Sequence, residues 1–412
     1  MDDVKDFPSR SFLRYWRANL VSSFGTYVTP FALQAMVVLT LHGSAAEVGW
    51  LNSVRWLPYL LVGVVVGALV DRYPRRPVMI ASDCLEAMLL ASIPLLWWMG
   101  QLTFPILLLV VLVYGTASVV NGAADMAFLP RLVPREHLQR AHARSDGADA
   151  VAMTAGPALA GFLVRTVGAP LAALVDAGGY LYSALMLSRI RLEEPAPTRQ
   201  TKPSELVREI REGIRWVYRG SGLATVAIAT HVWFVGNAIV GVVVAPYALV
   251  TLNLNSFLFG LVGTLAGVGA LIGAGITTRV GLLLGTGRTI IACHAIYGLG
   301  VVTMVAATVP RQPWLAFALL GSGQALYGLG LGMSNSHEMS YRQLITPDEL
   351  QARTNTTMRS LNRAVIVIVA PLAGILADAW GIEPTLLVAA AIFAGVAFGL
   401  ALTPFRSVRA PV

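Results

Sequence analysis

Twelve stretches of roughly 20 apolar residues follow one another along a chain of 412 residues, and few folds accommodate such a pattern. A helix of that length crosses the hydrocarbon core of a bilayer, where no water satisfies a backbone N–H or C=O. The expected spans are 18–41, 47–70, 77–99, 104–127, 145–167, 170–189, 222–250, 257–279, 289–309, 313–336, 355–379 and 385–404. Charged residues make up 13% of the chain and hydrophobic ones 56%, against about 25% charged in an ordinary soluble domain. The chain therefore reads as an all-α integral membrane protein with twelve transmembrane helices. Cys84 and Cys293 fall in apolar spans, where thiols pack as small apolar groups and no disulfide framework is expected. The first span is longer than a signal-peptide core and lacks a small-residue cleavage site, so it is expected to stay as the first helix.

A formal net charge of +8 raises a nucleic-acid reading, which the placement of the charges answers. The 30 Lys and Arg gather in the terminal segments and in alternate loops; Arg165 and Arg311 fall in the opposite loops, and Arg55, Arg359 and Arg363 lie within spans. The basic balance is thus a topology signal, and the positive-inside rule places both termini in the cytoplasm of a cell whose inner membrane holds the chain. Without interleaved aromatics or a folded basic module, no nucleic-acid partner is expected.

Loops on the arginine-poor side are short, such as Gly381-Ile382-Glu383-Pro384, whereas residues 190–221 form a long charged segment. That segment divides the chain into expected units 1–189, 190–221 and 222–412. Residues 193–197 read as an extended linker. Ser204 to Tyr218 reads as an amphipathic surface helix with Leu206, Ile210, Ile214 and Val217 on one face. The halves repeat at a spacing of about 213 residues: Gly115 maps to Gly328, Asp125 to Glu338, Phe128 to Tyr341, Pro134 to Pro347 and Glu136 to Glu349. Two six-helix pseudo-repeats around a central cavity are a common plan for secondary transporters.

Between the second and third spans the chain reads Gly67-Ala68-Leu69-Val70-Asp71-Arg72-Tyr73-Pro74-Arg75-Arg76. This stretch resembles the G-x-L-x-D-R-x-G-R-R signature of the major facilitator superfamily, with Pro74 at the family's usual glycine. Pro130-Arg131-Leu132-Val133-Pro134-Arg135-Glu136-His137-Leu138, Gly156-Pro157-Ala158-Leu159-Ala160-Gly161 and Arg342 through Arg353 are similar to the branch containing macrolide-efflux and enterobactin-exporter-like permeases. The resemblance implies proton-driven export of a small molecule. It also implies that Asp71 meets the start of the eleventh helix, near Arg353, Arg359 and Arg363, and closes the cytoplasmic side. The alternative is that Asp71, Arg72, Arg75 and Arg76 only fix topology. Asp146 and Asp149 open the fifth span one turn apart and map onto the Arg359 to Arg363 region, so they either form a second latch with Arg279 or Arg288 or simply cap a helix end. Gly156, Pro157 and Gly161 resemble part of an antiporter glycine-proline motif, and equally suit close helix packing.

Ionisable groups inside lipid are costly and therefore functional candidates. Four stand out: Arg55, Asp83, Glu86 and Asp176. Glu86, nearest its span's midplane, is placed to bind and release a proton, unless Arg55 holds it ionised. Asp83 and Asp176 suit either proton coupling or structural pairing. The branch often carries an acid after the glycine of the first helix, but this chain has Gly25-Thr26, so Asp125 becomes the alternative proton site. The resemblance assigns the cavity walls to the first, fourth, seventh and tenth spans. These present Thr26, Tyr27 and Gln34; Tyr114, Ser118 and Asn121; His231, Trp233, Phe234 and Asn237; and Gln324, Tyr327 and Asn335. Aromatic walls with sparse neutral polar groups suit a bulky amphiphile better than a phosphate or sugar.

No zincin, P-loop or Cys/His metal pattern is present, so neither enzymatic activity, a cofactor nor a metal is expected. The expected function is a secondary active transporter exporting a small amphiphilic drug, macrolide or siderophore-like compound by proton antiport. The alternatives are a proton-coupled importer of a metabolite and a non-transporting membrane scaffold or sensor. The expected partners are a small-molecule substrate, protons and the lipid bilayer, with the chain acting as a monomer.

Overall fold

A computed structural model of the chain describes residues 7–70, 72–192, 203–220 and 222–409. Among them are thirteen α-helices: α1 Arg10–Ala35, α2 Ala45–Val70, α3 Arg75–Trp98, α4 Phe104–Leu132, α5 Leu138–Val167, α6 Ala169–Ser188, α7 Pro203–Arg215, α8 Ala224–Pro246, α9 Ser256–Leu284, α10 Thr286–Val305, α11 Pro313–Ile345, α12 Asp348–Trp380 and α13 Ile382–Leu402. Among the described residues, 11 helices are long and apolar enough to cross a membrane; α2, with 26 residues, completes twelve long helices, and α7 is the short one.

The helices begin and end where local chemistry dictates. Ser9 caps α1 by accepting from the Phe12 N–H at 3.1 Å, and Asn255 caps α9 by accepting from Leu258 at 3.0 Å. Three pairs of helices meet at a single glycine in the left-handed region, Gly168 (φ 88°), Gly285 (φ 80°) and Gly381 (φ 98°). Each glycine ends one helix and starts the next, a reversal that a Cβ would strain. Gly168 and Gly381 stand at the spacing of the sequence repeat. So do Pro134 and Pro347, whose backbones match at φ −55°, ψ 146° and φ −55°, ψ 148°.

Six helix ends overshoot the expected spans by five residues or more: α1 starts at Arg10, α4 runs to Leu132, α5 starts at Leu138, α9 runs to Leu284, α11 runs to Ile345 and α12 starts at Asp348. Hydropathy marks only the part that lipid can hold, whereas the turns beyond it keep good helix formers and continue the hydrogen-bond ladder.

The helices gather into two compact units, the first comprising α1, the later part of α2 and α3 to α6, the second comprising residues 43–53 and α7 to α13. In the first, α3 packs on α4 and α6, and α1 on α5 and α6. Its core at the arginine-rich end is Phe12, Tyr15, Val66, Met79, Phe128 and neighbours. In the second, α11 packs on α9 and α10, and α8 on α12 and α13.

The start of α2 is bound to α12 within that second unit. Ser44 and Glu47 form a reciprocal capping box, with Ser44 N donating to Glu47 Oε2 at 2.9 Å and Glu47 N to Ser44 Oγ at 3.4 Å. Asp378 accepts from the Ala45 and Ala46 N–H groups, both at 3.0 Å, and Ser53 Oγ donates to the Val367 carbonyl at 2.7 Å. Between these bonds backbone meets backbone: a Cβ on Gly49 would lie 2.3 Å from the Ala370 oxygen, and one on Gly374 2.2 Å from the Ala45 oxygen. Small residues allow this approach.

The linker helix differs from its expected form. The helix α7 gives way to a π-helical turn over Trp216–Gly220. Val217 is buried beside Ala227 and Met358, but Ile210 and Ile214 are exposed, and Leu206 lies outside the residues whose side chains are described. Arg353 of α12 binds Glu212 at 2.7 Å and Glu209 at 3.4 Å, and Gly213 lies against Thr357 and the Arg353 carbonyl. The docked face is set by these contacts, and it turns two isoleucines outward.

Candidate functional site

Helix α3 carries Asp83 and Glu86 three residues apart, hence on one face, and each is 1% exposed. Opposite them α4 carries Ser118 and Asn121 at the same spacing. The Asn121 amide donates to Asp83 Oδ1 at 2.7 Å and to Glu86 Oε2 at 3.1 Å, and the Ser118 hydroxyl donates to Glu86 Oε1. One amide therefore ties two carboxyls together away from water. Two carboxyls held on one donor away from water cannot both be charged cheaply.

One turn before Ser118, the Tyr114 hydroxyl meets that of Tyr180 of α6 at 2.8 Å. The Arg55 guanidinium stacks over the Trp56 ring at 5.1 Å, and among the described residues no ion pair joins it to Glu86. One turn after Asn121, Asp125 accepts from the Tyr15 hydroxyl of α1 at 2.9 Å. Asp176 of α6 is buried against α1 at Gly25. The first unit thus holds all five predicted proton-coupling groups: α4 carries Asp125 and meets Asp83 and Glu86, whereas Asp176 faces α1.

The other predicted residues fall as follows. Tyr27 donates to Asp149 at 3.1 Å, which ties α1 to α5 just where Gly156 lies so close that a Cβ would stand 2.8 Å from that of Tyr27. Pro157 follows it, Gly161 is buried one turn on, and Asp146 is exposed. Arg75 donates to the Val70 carbonyl at 2.7 Å, and Arg76 to the Leu187 carbonyl at 2.8 Å and to that of Ser188. Both arginines hold helix ends. Arg72 and Arg359 are exposed, Arg363 is half-buried, and Asp71 lies outside the described residues. Arg353, expected near Asp71, is engaged by Glu209 and Glu212.

In the second unit, His231 sits between Asn362 Oδ1 on its Nδ1 at 2.7 Å and Tyr218 Oη on its Nε2 at 2.5 Å. Tyr327 donates to Asn237 at 2.9 Å. Trp233 packs on Phe234, Tyr297 and Tyr327 with ring centroids 4.9, 5.7 and 6.4 Å apart, and Phe393 closes on Tyr297 and Tyr327. Gln324 donates to the Met304 sulfur at 3.7 Å. Thr26 bonds its own helix at Ser22, Gln34 is half-buried, and Asn335 is exposed. Sequence reading missed Tyr297 and Phe393, which lie in spans not assigned to the cavity. It also passed over Glu338, which accepts from Thr230 at 2.9 Å and Ser334 at 2.6 Å, although the repeat had already paired it with Asp125.

The family model of the major facilitator superfamily matches residues 16–368. The chain belongs to that superfamily. It is 27% identical over 412 residues to the multidrug efflux pump Tap of Mycobacterium tuberculosis, covering 96% of this chain and 92% of that protein. It is 24% identical over 228 residues to macrolide efflux protein A of Streptococcus pyogenes, covering 54% of this chain and 55% of that protein. Among solved structures, a bacterial homologue of the human lysosomal transporter Spinster superposes with a TM-score of 0.76 at 11% identity, covering 99% and 100% of the two chains. A bacterial homologue of the iron transporter ferroportin gives 0.74 at 16% identity, covering 95% and 98%. These last two show the fold. The facilitator is a multi-pass membrane transporter of small molecules with multidrug and macrolide efflux relatives.

Proposed function

We propose that this facilitator exports a small amphiphilic compound across the cytoplasmic membrane in exchange for protons, by alternating access, with both termini in the cytoplasm. The observation that carries the reading is the Asp83–Asn121–Glu86 bridge, two buried carboxyls on one donor, which supports a site that takes up and releases a proton. Loss of that proton charges the pair, and α3 and α4 must then admit new donors. The efflux names of the relatives favour export.

The aromatic group around Trp233, Phe234 and Tyr327, with the Asn237 amide beside it, supplies the flat apolar faces and few oriented hydrogen bonds that an amphiphile requires. The test uses ethidium in cells with and without the protein, each with and without a protonophore. Expression-dependent depletion that the protonophore abolishes supports the antiporter. Expression-dependent uptake would favour an importer, and no change in either arm refutes transport of this class of compound.

A further inference from the structure

Asp176 occupies an unusual place in the first unit. It projects from α6 into the space that a side chain at position 25 would fill: a Cβ on Gly25 would lie 2.2 Å from Asp176 Oδ1. Its other oxygen, Oδ2, is buried without a hydrogen-bond partner, and so is the Thr29 hydroxyl one turn further along α1. Both residues are more than nine-tenths buried, Asp176 at 7% exposed and Thr29 at 3%. They border the same narrow slot, otherwise walled by aliphatic side chains of α1, α3 and α6 and too small to seat a water molecule.

The surroundings decide the charge. Facing Asp176 are Glu86 from α3, Tyr114 from α4 and Tyr180 from its own helix. α1 contributes Gly25, Val28 and Thr29, none of which titrates. Arg55 lies with Tyr114 and Tyr180, and among the described residues no ion pair reaches Asp176. An ionised carboxylate with an orphaned oxygen in a dry slot near another acid is not a stable arrangement, whereas a neutral carboxyl is. With no room for water or a hydrated cation, the proton is the one ligand of suitable size.

We propose that Asp176 is a proton-binding residue whose charge sets how closely α1 packs on α6, with Gly25 as the seat of the neutral carboxyl and Thr29 as a donor held in reserve. When the proton leaves, the carboxylate needs donors, and the slot supplies them only if α1 withdraws enough for the Thr29 hydroxyl to turn inward or for water to enter. Helix α1 also carries Tyr15, bound to Asp125, and Tyr27, bound to Asp149. Its displacement therefore bears on α4 and α5 through these two bonds. The proposal rests on the antiport reading and adds a second protonatable position to the Asp83–Glu86 pair.

The test has two arms in purified protein reconstituted into vesicles. Infrared difference spectra across a pH titration are expected to show a protonated-carboxyl stretch that disappears in Asp176→Asn. Ethidium extrusion driven by a pH gradient is expected to fall by about tenfold or more in Asp176→Asn, a normal size for a coupling free energy, while gradient-independent ethidium exchange persists and shows that the variant is folded. Asp176→Glu, which restores an acid, is expected to recover gradient-driven extrusion in part. An unchanged carboxyl stretch and unchanged extrusion in Asp176→Asn overturn the assignment of Asp176 and leave antiport standing. Extrusion by the unaltered protein that ignores the pH gradient removes the antiport reading itself, and with it the coupling role given to Asp176.

Discussion

Adding one methyl group at Gly49 separates two opposed effects on α2. In an exposed helix, Gly→Ala gains about 1 kcal/mol from reduced backbone entropy. At position 49 the new Cβ would stand 2.3 Å from the Ala370 oxygen and 3.0 Å from the Pro371 Cα. The obstacle is backbone, so α2 and α12 must part by about 1 Å to restore contact distance. Overpacking of this kind costs about 1–3 kcal/mol. The same movement stretches the Ser53–Val367 bond from 2.7 Å beyond useful length, at about 1 kcal/mol. The net effect of Gly49→Ala is therefore a loss of about 1–3 kcal/mol after the propensity gain is subtracted. Gly63 on the same helix is the control: its nearest neighbour would be its own Tyr59 ring at 3.6 Å, an ordinary contact, so Gly63→Ala is expected to be neutral or stabilising. Thermal denaturation followed by fluorescence-detected size exclusion measures both, and thiol labelling of Ser53→Cys reports whether the seam has opened. If Gly49→Ala matches Gly63→Ala in stability and labelling, the close approach of α2 and α12 is wrong.

Asn121→Leu removes the amide shared by Asp83 and Glu86 and is expected to abolish protonophore-sensitive ethidium efflux while costing about 2 kcal/mol in stability; normal efflux at normal expression would contradict the proton site. Arg353→Met releases α7 from α12, and because the pair is partly exposed the loss is only about 0.5–1 kcal/mol. Limited proteolysis should therefore cut between the halves faster with little change in denaturation temperature. Tyr327→Phe deletes the bond to Asn237 and keeps the aromatic face, so ethidium affinity measured by fluorescence anisotropy should weaken by about threefold to tenfold. A Tyr327→Ala change should weaken it more.

Hydropathy alone carried most of the fold, because each span had to be apolar over a bilayer's thickness whichever neighbour it met. The repeat was legible for the same reason that Gly168 and Gly381, and Pro134 and Pro347, share backbone geometry: turns between helices tolerate few residue types. The site was legible in kind, since Asp83, Glu86 and Asp176 are acids in apolar runs. Their partners were not. Nothing in the periodicity of α4 shows that Ser118 and Asn121 turn toward acids of α3. Likewise the pairing of Arg353 with Glu209 and Glu212 joins positions far apart in the chain, and the exposed Ile210 and Ile214 follow from it. Glu338 was visible through the repeat, but its hydroxyl donors were not.

The attachment of α7 to α12 bears on how this protein can be divided and rebuilt. A gene split ahead of residue 203 leaves the helix on the same polypeptide as Arg353, and the contacts of the start of α2 with α12 then join the two fragments without it. A split after residue 220 moves α7 to the other fragment, and Glu209 and Glu212 then become a tether carried in trans. Comparing the two splits, with and without Arg353, would turn a surface ion pair into an adjustable fastener for assembling the transporter from separate parts.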